Sequence, residues 1–463
     1  MRGTILLLLF LSFTSYGQND SISVFSYIEF LKIVGEHHPM AYQANLQQRL
    51  GDAYVQKARG GFDPKLYGNA QQKYYDGKQY YSYLNAGLKI PTWFGVSLQG
   101  GVDQNNGERL NSESYTNDIP LWHAGITANL GNGMFIDQRR ADIKQAKIYQ
   151  NSTEQEQKLM VNQLFLDASV SYFNWFKAYN KVKVYENAVR VAQERFENTK
   201  STAELGDKPY VDTLKALIQV QDRSLKLEQA KLDLVNKRNL LETFLWQDGF
   251  APLEISENLV PNLYPNLAIE SPALNLVDGL DTLVQRHPEI IMSQNKIDIN
   301  KIDYRLQREA LKPTLEVKYN ALAGDLGQGV IDDYTIENYN WGATFVYPIF
   351  TRKERANVEI SRIKVENEEA NLAQKEALIK YKILASYNNW ESTVEQVNIM
   401  QIAANNYQAL YFAELALFNA GESSMFLVNV RDQDYIDAQI KLIEIITIHL
   451  FNEANFKFQT MNF

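Results

Sequence analysis

The residue types that usually carry chemistry are sparse in this 463-residue chain and form no recognised catalytic pattern. The chain has no cysteine, which excludes disulfides, thiolate-bound metals and a cysteine nucleophile. No HExxH, G-x-S-x-G or P-loop pattern occurs, and the glycines of 324–329 lack the Lys-Ser/Thr of a phosphate-binding loop. The five histidines are His37, His38, His123, His287 and His449. We therefore predict no enzymatic activity, no cofactor and no metal site.

Two of these histidines mark an internal duplication. His38-Pro39 recurs 249 positions later as His287-Pro288, and the prolines at 64 and 313 have the same separation. Proline is favoured in the first turn of a helix, where its missing N–H costs little. These two histidines are therefore interpreted as marking equivalent helix starts, in preference to metal ligands.

A second constant separation, of 215 positions, relates two longer blocks, 140–206 and 355–421. The segment 171–175 (SYFNW) matches 386–390 (SYNNW) in four of five places, and Gly206 falls on Gly421. The difference between 249 and 215 means that the first half carries 34 extra residues between its proline and its block. The chain is thus predicted to be two copies of one unit.

The long blocks are predicted to be helices. No proline interrupts either block, and apolar residues recur at alternating spacings of four and three, a coiled-coil seam. This seam is Val161, Phe165, Ala168, Tyr172, Trp175, Tyr179 and Val182. Gly206 and Gly421 suit the left-handed conformation that ends a helix. Asp207 and Ser423 are plausible caps for the returning helices.

Between the first and second helices of each half the periodicity changes to two, which predicts strands. In the second half apolar or aromatic residues alternate with polar ones over 313–323 and 339–349, and in the first half over 122–130. Further alternation over 84–98 indicates an extra hairpin near 79–106, which accounts for most of the 34-residue excess. Such strands fit either a soluble sheet or the wall of a membrane barrel.

Aromatic residues near the strand ends favour the barrel, because membrane barrels carry aromatic girdles at both interfaces. We expect Trp93, Trp122, Tyr339 and Trp341 to lie at such interfaces. Four strands cannot close a membrane barrel, since about eight are needed. Several chains must therefore share one wall.

The N-terminus has the three parts of a secretory signal: Arg2, an apolar run over 5–13, and small residues before a cut after Gly17. A buried N-terminal strand is the competing interpretation. No later stretch has about 18 consecutive apolar residues, so we expect no helical membrane span. The formal net charge of −9 argues against a nucleic-acid partner.

These patterns give the following predicted boundaries. A signal peptide, 1–17, precedes the first repeat, 18–246, with a helix at 25–60, strands within 62–131 and a helical hairpin at 134–246. A linking segment, 247–275, precedes the second repeat, 276–463, with a helix at 288–310, strands within 313–350 and a hairpin at 352–456, whose returning helix spans 424–456.

In this order and spacing the chain resembles the outer membrane efflux protein (TolC) family. The resemblance rests on the doubled His-Pro and strand units, the Arg-Ala after each strand pair, and the turns around Gly206 and Gly421. It implies an α plus β-barrel membrane protein that forms a homotrimer, with a shared twelve-stranded barrel among outer-membrane lipids and a helical tunnel in the periplasm. It also implies a periplasmic adaptor and an inner-membrane pump, of RND or ABC type, as partners. The extra hairpin departs from the family, and either adds strands to the wall or stands outside the cell.

The resemblance also suggests functional residues. Asp212 matches an acidic gate position, and Glu422 and Asp432 are nearby acids that could act with it; ordinary solvated charges are an equal alternative. Gly206, Asp207, Gly421 and Ser423 are candidates for adaptor docking. A secreted coiled-coil scaffold or adhesin is the competing function. The cargo is left open among drugs, metal ions and polypeptides.

Overall fold

A computed structural model describes residues 23–116, 119–206, 209–256, 258–261, 276–324 and 336–463. The predicted signal peptide and about half of the linking segment lie outside these ranges. The chain forms two compact units. The first unit comprises residues 1–39, 164–273 and 386–456, and the second comprises 40–163, 274–385 and 457–463.

Pairs of consecutive helices alternate with groups of strands along the chain. Helices α1 to α8 are Tyr27–His37, Pro39–Arg59, Gln138–Glu204, Tyr210–Glu242, Leu276–Arg286, Pro288–Glu309, Arg352–Asn419 and Met425–Thr460. Strands β1 to β10 are Ser23–Val24, Lys65–Tyr75, Lys78–Pro91, Val96–Asn106, Leu121–Asn129, Trp246–Gln247, Ala251–Pro252, Leu259–Val260, Thr314–Ala323 and Tyr339–Val346. Short strands β1 and β8 pair in parallel, and β6 pairs with β7.

The predicted helix 25–60 is two helices. His38 separates α1 from α2 with an extended backbone, at φ −67° and ψ 135°. The ring of Pro39 disfavours the helical conformation in the residue before it. His287 stands in the same conformation before Pro288 and caps α6, since its Nδ1 accepts a hydrogen bond from the Glu289 amide at 3.2 Å.

The first unit is built on α3 and its neighbours. Trp175 and Tyr172 are buried, and the Tyr172 hydroxyl donates to the Phe25 carbonyl at 2.6 Å. The buried surface of α3 is wider than the predicted seam, because Leu164 and Phe176 are also buried. A helix buried along more than a narrow stripe packs against more than one neighbour.

The second unit contains one antiparallel sheet of six strands, in the order β10-β9-β5-β4-β3-β2. The extra hairpin supplies β3 and β4, which pair with β2 and β5 on either side. The sequence predicts four strands for the wall and leaves the place of this hairpin open. The structure puts both additional strands inside the sheet.

Candidate functional site

The six-stranded sheet has two chemically different faces. Register places aliphatic and aromatic side chains together on one face, which we call the apolar face, across all six strands. Its members include Leu66, Ala70, Leu84, Leu88, Ile90, Leu98, Val102, Trp122, Ile126, Val317, Tyr319, Trp341 and Phe345. Polar residues and glycines make up most of the other face, the polar face. Its members include Tyr67, Asn69, Asn85, Gln99, Asp103, His123, Thr127, Lys318, Asn320 and Thr344.

The solvent exposure of these two faces is the reverse of that in a water-soluble sheet. On the apolar face of the central strands, Leu98 is 46% exposed and Ile126 is 45% exposed, whereas the edge strands β2 and β10 are exposed on both faces. On the polar face, Ser97, His123 and Asn320 are buried. Membrane barrels place apolar residues outward and polar residues inward. The sheet thus presents a lipid-compatible exterior and a polar interior.

Hydrogen bonds join the polar face across strands. Gln99 Nε2 donates to Asn320 Oδ1 at 2.7 Å, and Thr127 Oγ1 donates to Gln99 Oε1 at 3.2 Å. His123 Nδ1 lies 3.4 Å from Asp103 Oδ2. The Gln99 hydrogen bonds link β4, β5 and β9 on the concave side, and the His123–Asp103 pair is a separate contact between β4 and β5.

Glycines allow the polar face to curve inward. A Cβ on Gly125 would lie 2.0 Å from the Tyr319 carbonyl oxygen, and one on Gly87 would lie 2.5 Å from the Tyr67 hydroxyl. Glycine within strands permits close backbone approach and sharp bending. The curled sheet therefore depends on the missing side chains at these positions.

The four predicted interface aromatics lie at different levels of the sheet. Trp93 lies in the β3–β4 turn, half exposed and edge-on to Phe62 at 4.8 Å between ring centroids. Trp122 and Tyr339 lie at the opposite end of the strands, where β5 and β10 begin. Trp341 is two residues further along β10 and is 64% exposed.

An ion cluster fixes the passage from β5 into α3. Asp137 accepts hydrogen bonds from the Arg140 amide and Nε at 3.0 Å and from Arg139 Nη2 at 3.0 Å. Burial acts to raise the pKa of the Asp137 carboxyl, but these hydrogen bonds outweigh it and hold that pKa below its ordinary value. Arg140 also donates to the carbonyls of Gly133 and Met134.

The two predicted hairpin turns have the expected backbone. Gly206 and Gly421 both take left-handed conformations, at φ +86° and +80°. Ser424 Oγ, rather than Ser423, accepts the Leu427 amide at 3.4 Å and caps α8, whereas the Ser423 hydroxyl donates to Glu414. Asp207 lies outside the described residues.

Asp212 lies in the first turn of α4, where it pairs with Lys215 at 3.1 Å. It lines a groove of about 720 Å³ in the first unit, together with Asp434, an acid near the second turn in the sequence, and Asp222, for which the sequence gave no signal. The lining of the groove thus carries three carboxylates and one ammonium group, that of Lys215, near the hairpin turns.

Asp432 does not line this groove. Its carboxylate is buried, with Arg195 Nη1 at 3.6 Å and Arg223 Nη2 at 3.7 Å from Oδ2. Burial raises the pKa of Asp432, against the opposing effect of the two guanidinium groups. Asp432 is thus an internal tie within one chain, and Glu422 is exposed in its own turn, so the structure does not gather the three predicted gate acids.

Among the described residues, no group of three or more His, Asp or Glu side chains is arranged to hold a metal ion. No helix in the same part of the chain combines the length and hydropathy of a membrane span.

Comparisons with known proteins agree with this geometry. Residues 279–445 match the family model described as outer membrane efflux protein. A comparison with curated proteins gives no match. Among solved structures, the chain is similar to the Campylobacter jejuni CmeC outer membrane channel, with a TM-score of 0.64 and 15% identity over 94% of this chain and 86% of that one.

Two further channels have the same fold. CusC, described in terms of transmembrane channel formation, has a TM-score of 0.65 and 15% identity over 96% of this chain and 95% of that one. The open state of the Neisseria gonorrhoeae MtrE outer membrane channel has a TM-score of 0.63 and 11% identity over 94% of this chain and 88% of that one. The second repeat therefore resembles an outer membrane efflux protein domain, and nearly the whole chain has the fold of these outer-membrane channels.

Proposed function

We propose that this protein is the outer-membrane exit duct of a tripartite efflux or type I secretion system. The main support for this function comes from the central strands of the sheet, where apolar side chains such as Leu98 and Ile126 are exposed and polar side chains such as Ser97 and His123 are buried. The fold shared with outer-membrane channels supports it. Transport through such a duct is passive, and the charge and width of its narrowest part set selectivity.

The working form is proposed to be a homotrimer in the outer membrane, with its helical hairpins in the periplasm. One chain leaves the edges of its sheet, β2 and β10, without partners among the described strands. Open sheet edges are not tolerated in hydrocarbon, because no water satisfies their backbone groups. Several copies are needed to close the wall, and three is the number that the resemblance implies.

The hairpin turns are proposed to dock a periplasmic adaptor, which connects the duct to an inner-membrane pump of RND or ABC type. Large apolar side chains beside both turns support this proposal: Leu205 is 80% exposed, Tyr210 82% and Phe426 72%. Clustered exposed apolar residues usually mark a protein interface. Gly206, Gly421 and Ser423 shape the turns, and Asp207 adjoins the first one.

The acidic groove is proposed to lie at the periplasmic gate. Asp212 remains the central candidate, with Glu422 as the acid of the second turn. In a symmetric assembly each carboxylate occurs once per copy, so a single position creates a ring of charge. Asp432 is proposed to latch α4 and α8 rather than to face the lumen.

Fractionation and planar-bilayer recording test the function together. The protein should enter the outer membrane, resist carbonate extraction and conduct ions when reconstituted. The competing secreted scaffold would wash off and give no conductance, and that outcome would refute the proposal.

The gate is tested separately by neutralising Asp212 and Glu422 to the corresponding amides. Cation preference should fall, whereas the matched change Glu29→Gln, at an exposed acid in the first turn of α1, should leave it unchanged. Identical recordings from both variants would remove the gate proposal and leave the duct intact.

A further inference from the structure

The strands of the extra hairpin are built like the strands beside them. Strand β3 has 14 residues and β4 has 11, against 9 in β5 and 10 in β9. A tilted strand needs about 9–11 residues to cross the hydrocarbon core. Each of the two strands is therefore long enough to span the membrane.

The hairpin is paired along its length and on both sides. Strand β3 pairs with β4 over ten residue pairs, and β4 pairs with β5 over eight, from Val96↔Ala128 to Asp103↔Leu121. Its turn is held against the sheet–helix junction, because a Cβ on Gly95 would lie 3.5 Å from Arg140 Nη2. A hairpin that projected into water would lack both constraints.

The apolar face continues across the hairpin without a break. Leu84, Ala86 and Leu88 of β3 lie on the same face as Leu98 of β4 and Ile126 of β5. Leu84 is 50% exposed and Leu98 is 46% exposed. Exposed apolar side chains of this kind are more stable in contact with lipid than in contact with water.

The two edges of the sheet are complementary to each other. Because the sheet has six antiparallel strands, β2 and β10 run in opposite directions, so β2 of one copy meets β10 of a second copy antiparallel. Both edges keep the same alternation, with Leu66 and Ala70 on the apolar face of β2 and Trp341 and Phe345 on that of β10. Both also place aromatic rings at the end of the sheet farther from the β3–β4 turn: Tyr74 and Tyr75 on β2, and Tyr339 on β10.

We propose that all six strands of each chain form the membrane wall, so that a trimer closes an eighteen-stranded barrel through β2–β10 pairing between neighbouring copies. This inference rests on the proposed trimeric duct and replaces the twelve strands that the family resemblance implies. Membrane barrels have even strand numbers from about 8 to 26, and diameter grows roughly linearly with strand number. The barrel is thus about one and a half times as wide as one with twelve strands.

Disulfide mapping of the full-length protein in outer membranes tests the pairing, and the natural chain contributes no cysteine background. Asn69→Cys on β2 is combined in turn with Asn340→Cys, Gly342→Cys and Thr344→Cys on β10, all on the polar face. At least one pair should give a ladder that ends at three chains on a non-reducing gel. The pair His123→Cys and Leu322→Cys joins neighbouring strands of one chain and reports that the oxidant reaches the interior.

A second series distinguishes this inference from the function on which it rests. Gln99→Cys on β4 replaces Asn69→Cys against the same three β10 positions. Ladders from the β4 series and none from the β2 series would mean a twelve-stranded wall without β2 and β3, which overturns the inference and keeps the duct. If neither series gives a ladder although the His123–Leu322 disulfide forms, both the eighteen-stranded barrel and the proposed duct are overturned. A β2 ladder that ends at two chains would overturn them as well.

Discussion

Arg223 Nη2 lies 3.7 Å from Asp432 Oδ2 in the interior of the first unit, and this contact ties α4 to α8. Arg223 is 1% exposed, and its Nη1 also donates to Gln433 Oε1 at 2.6 Å. The two helices begin on the far sides of different hairpin turns, at Tyr210 and Met425. The pair therefore couples the returning helices of the two repeats.

Arg223→Met should destabilise the protein by about 3–5 kcal/mol, because it leaves a buried carboxylate with one cation fewer. Thermal unfolding of the detergent-solubilised protein measures this. Arg431→Met is the matched control, since Arg431 is partly exposed and pairs with Asp434 on the same helix. Equal losses from the two variants would contradict the internal tie.

The cost of Arg223→Met should also depend on pH. Burial already raises the pKa of Asp432 in the folded state, and loss of Arg223 raises that pKa further. A group with a raised folded pKa stabilises fully below its unfolded pKa and loses that contribution as the pH rises through the folded value. The variant should therefore be closest to the natural protein in acid and fall behind as the pH increases; a constant difference would count against protonation of Asp432.

Adjacent residues on β5 should differ in how well they tolerate a new charge. Ile126→Lys places an ammonium on the apolar face, which costs about 2–4 kcal/mol near the bilayer midplane. Thr127→Lys places the same group on the polar face, where water is available. Outer-membrane yield and resistance to heat on gels should fall much further for Ile126→Lys than for Thr127→Lys, which loses one hydrogen bond to Gln99. The reverse result would mean that the sheet faces are assigned the wrong way round.

Gly125→Ala should prevent normal assembly of the sheet. The added methyl would lie 2.0 Å from the Tyr319 carbonyl, which belongs to the paired backbone and cannot move aside. Gly100→Ala on β4 is the control, because its Cβ would lie at an ordinary 3.5 Å from the His123 carbonyl. Folded protein, measured by its shift on unheated gels, should be lost for the first variant and retained for the second.

Asp137→Asn should lower stability at neutral pH and leave it nearly unchanged in strong acid. The folded pKa of Asp137 is depressed, so its contribution is present above the ordinary carboxyl pKa and disappears as the pH falls through the folded value. Unfolding curves at several pH values measure the difference. A deficit that persists unchanged below the folded pKa would assign the effect to packing instead of charge.

The sequence by itself determined the duplication, the long helices, the Gly-ended hairpins and the alternation of the strands. These features are local or periodic: Pro39 and Pro288 set helix starts, and Gly206 and Gly421 supply the left-handed residues that their turns require. The spacing of apolar residues likewise separates a period near 3.5 from a period of two. Such features can be predicted from the sequence without knowing which segments are in contact.

Tertiary structure alone decided which residues from distant segments share a surface. The pairing of Asp432 with Arg195 and Arg223, and the groove shared by Asp212 and Asp434, depend on how separate helices face each other. Nothing in the charge pattern of a single helix encodes that choice, since most helical charges face water. The place of β3 and β4 was likewise settled by backbone hydrogen bonds to β2 and β5, because alternation predicts a strand but carries no information about its partners.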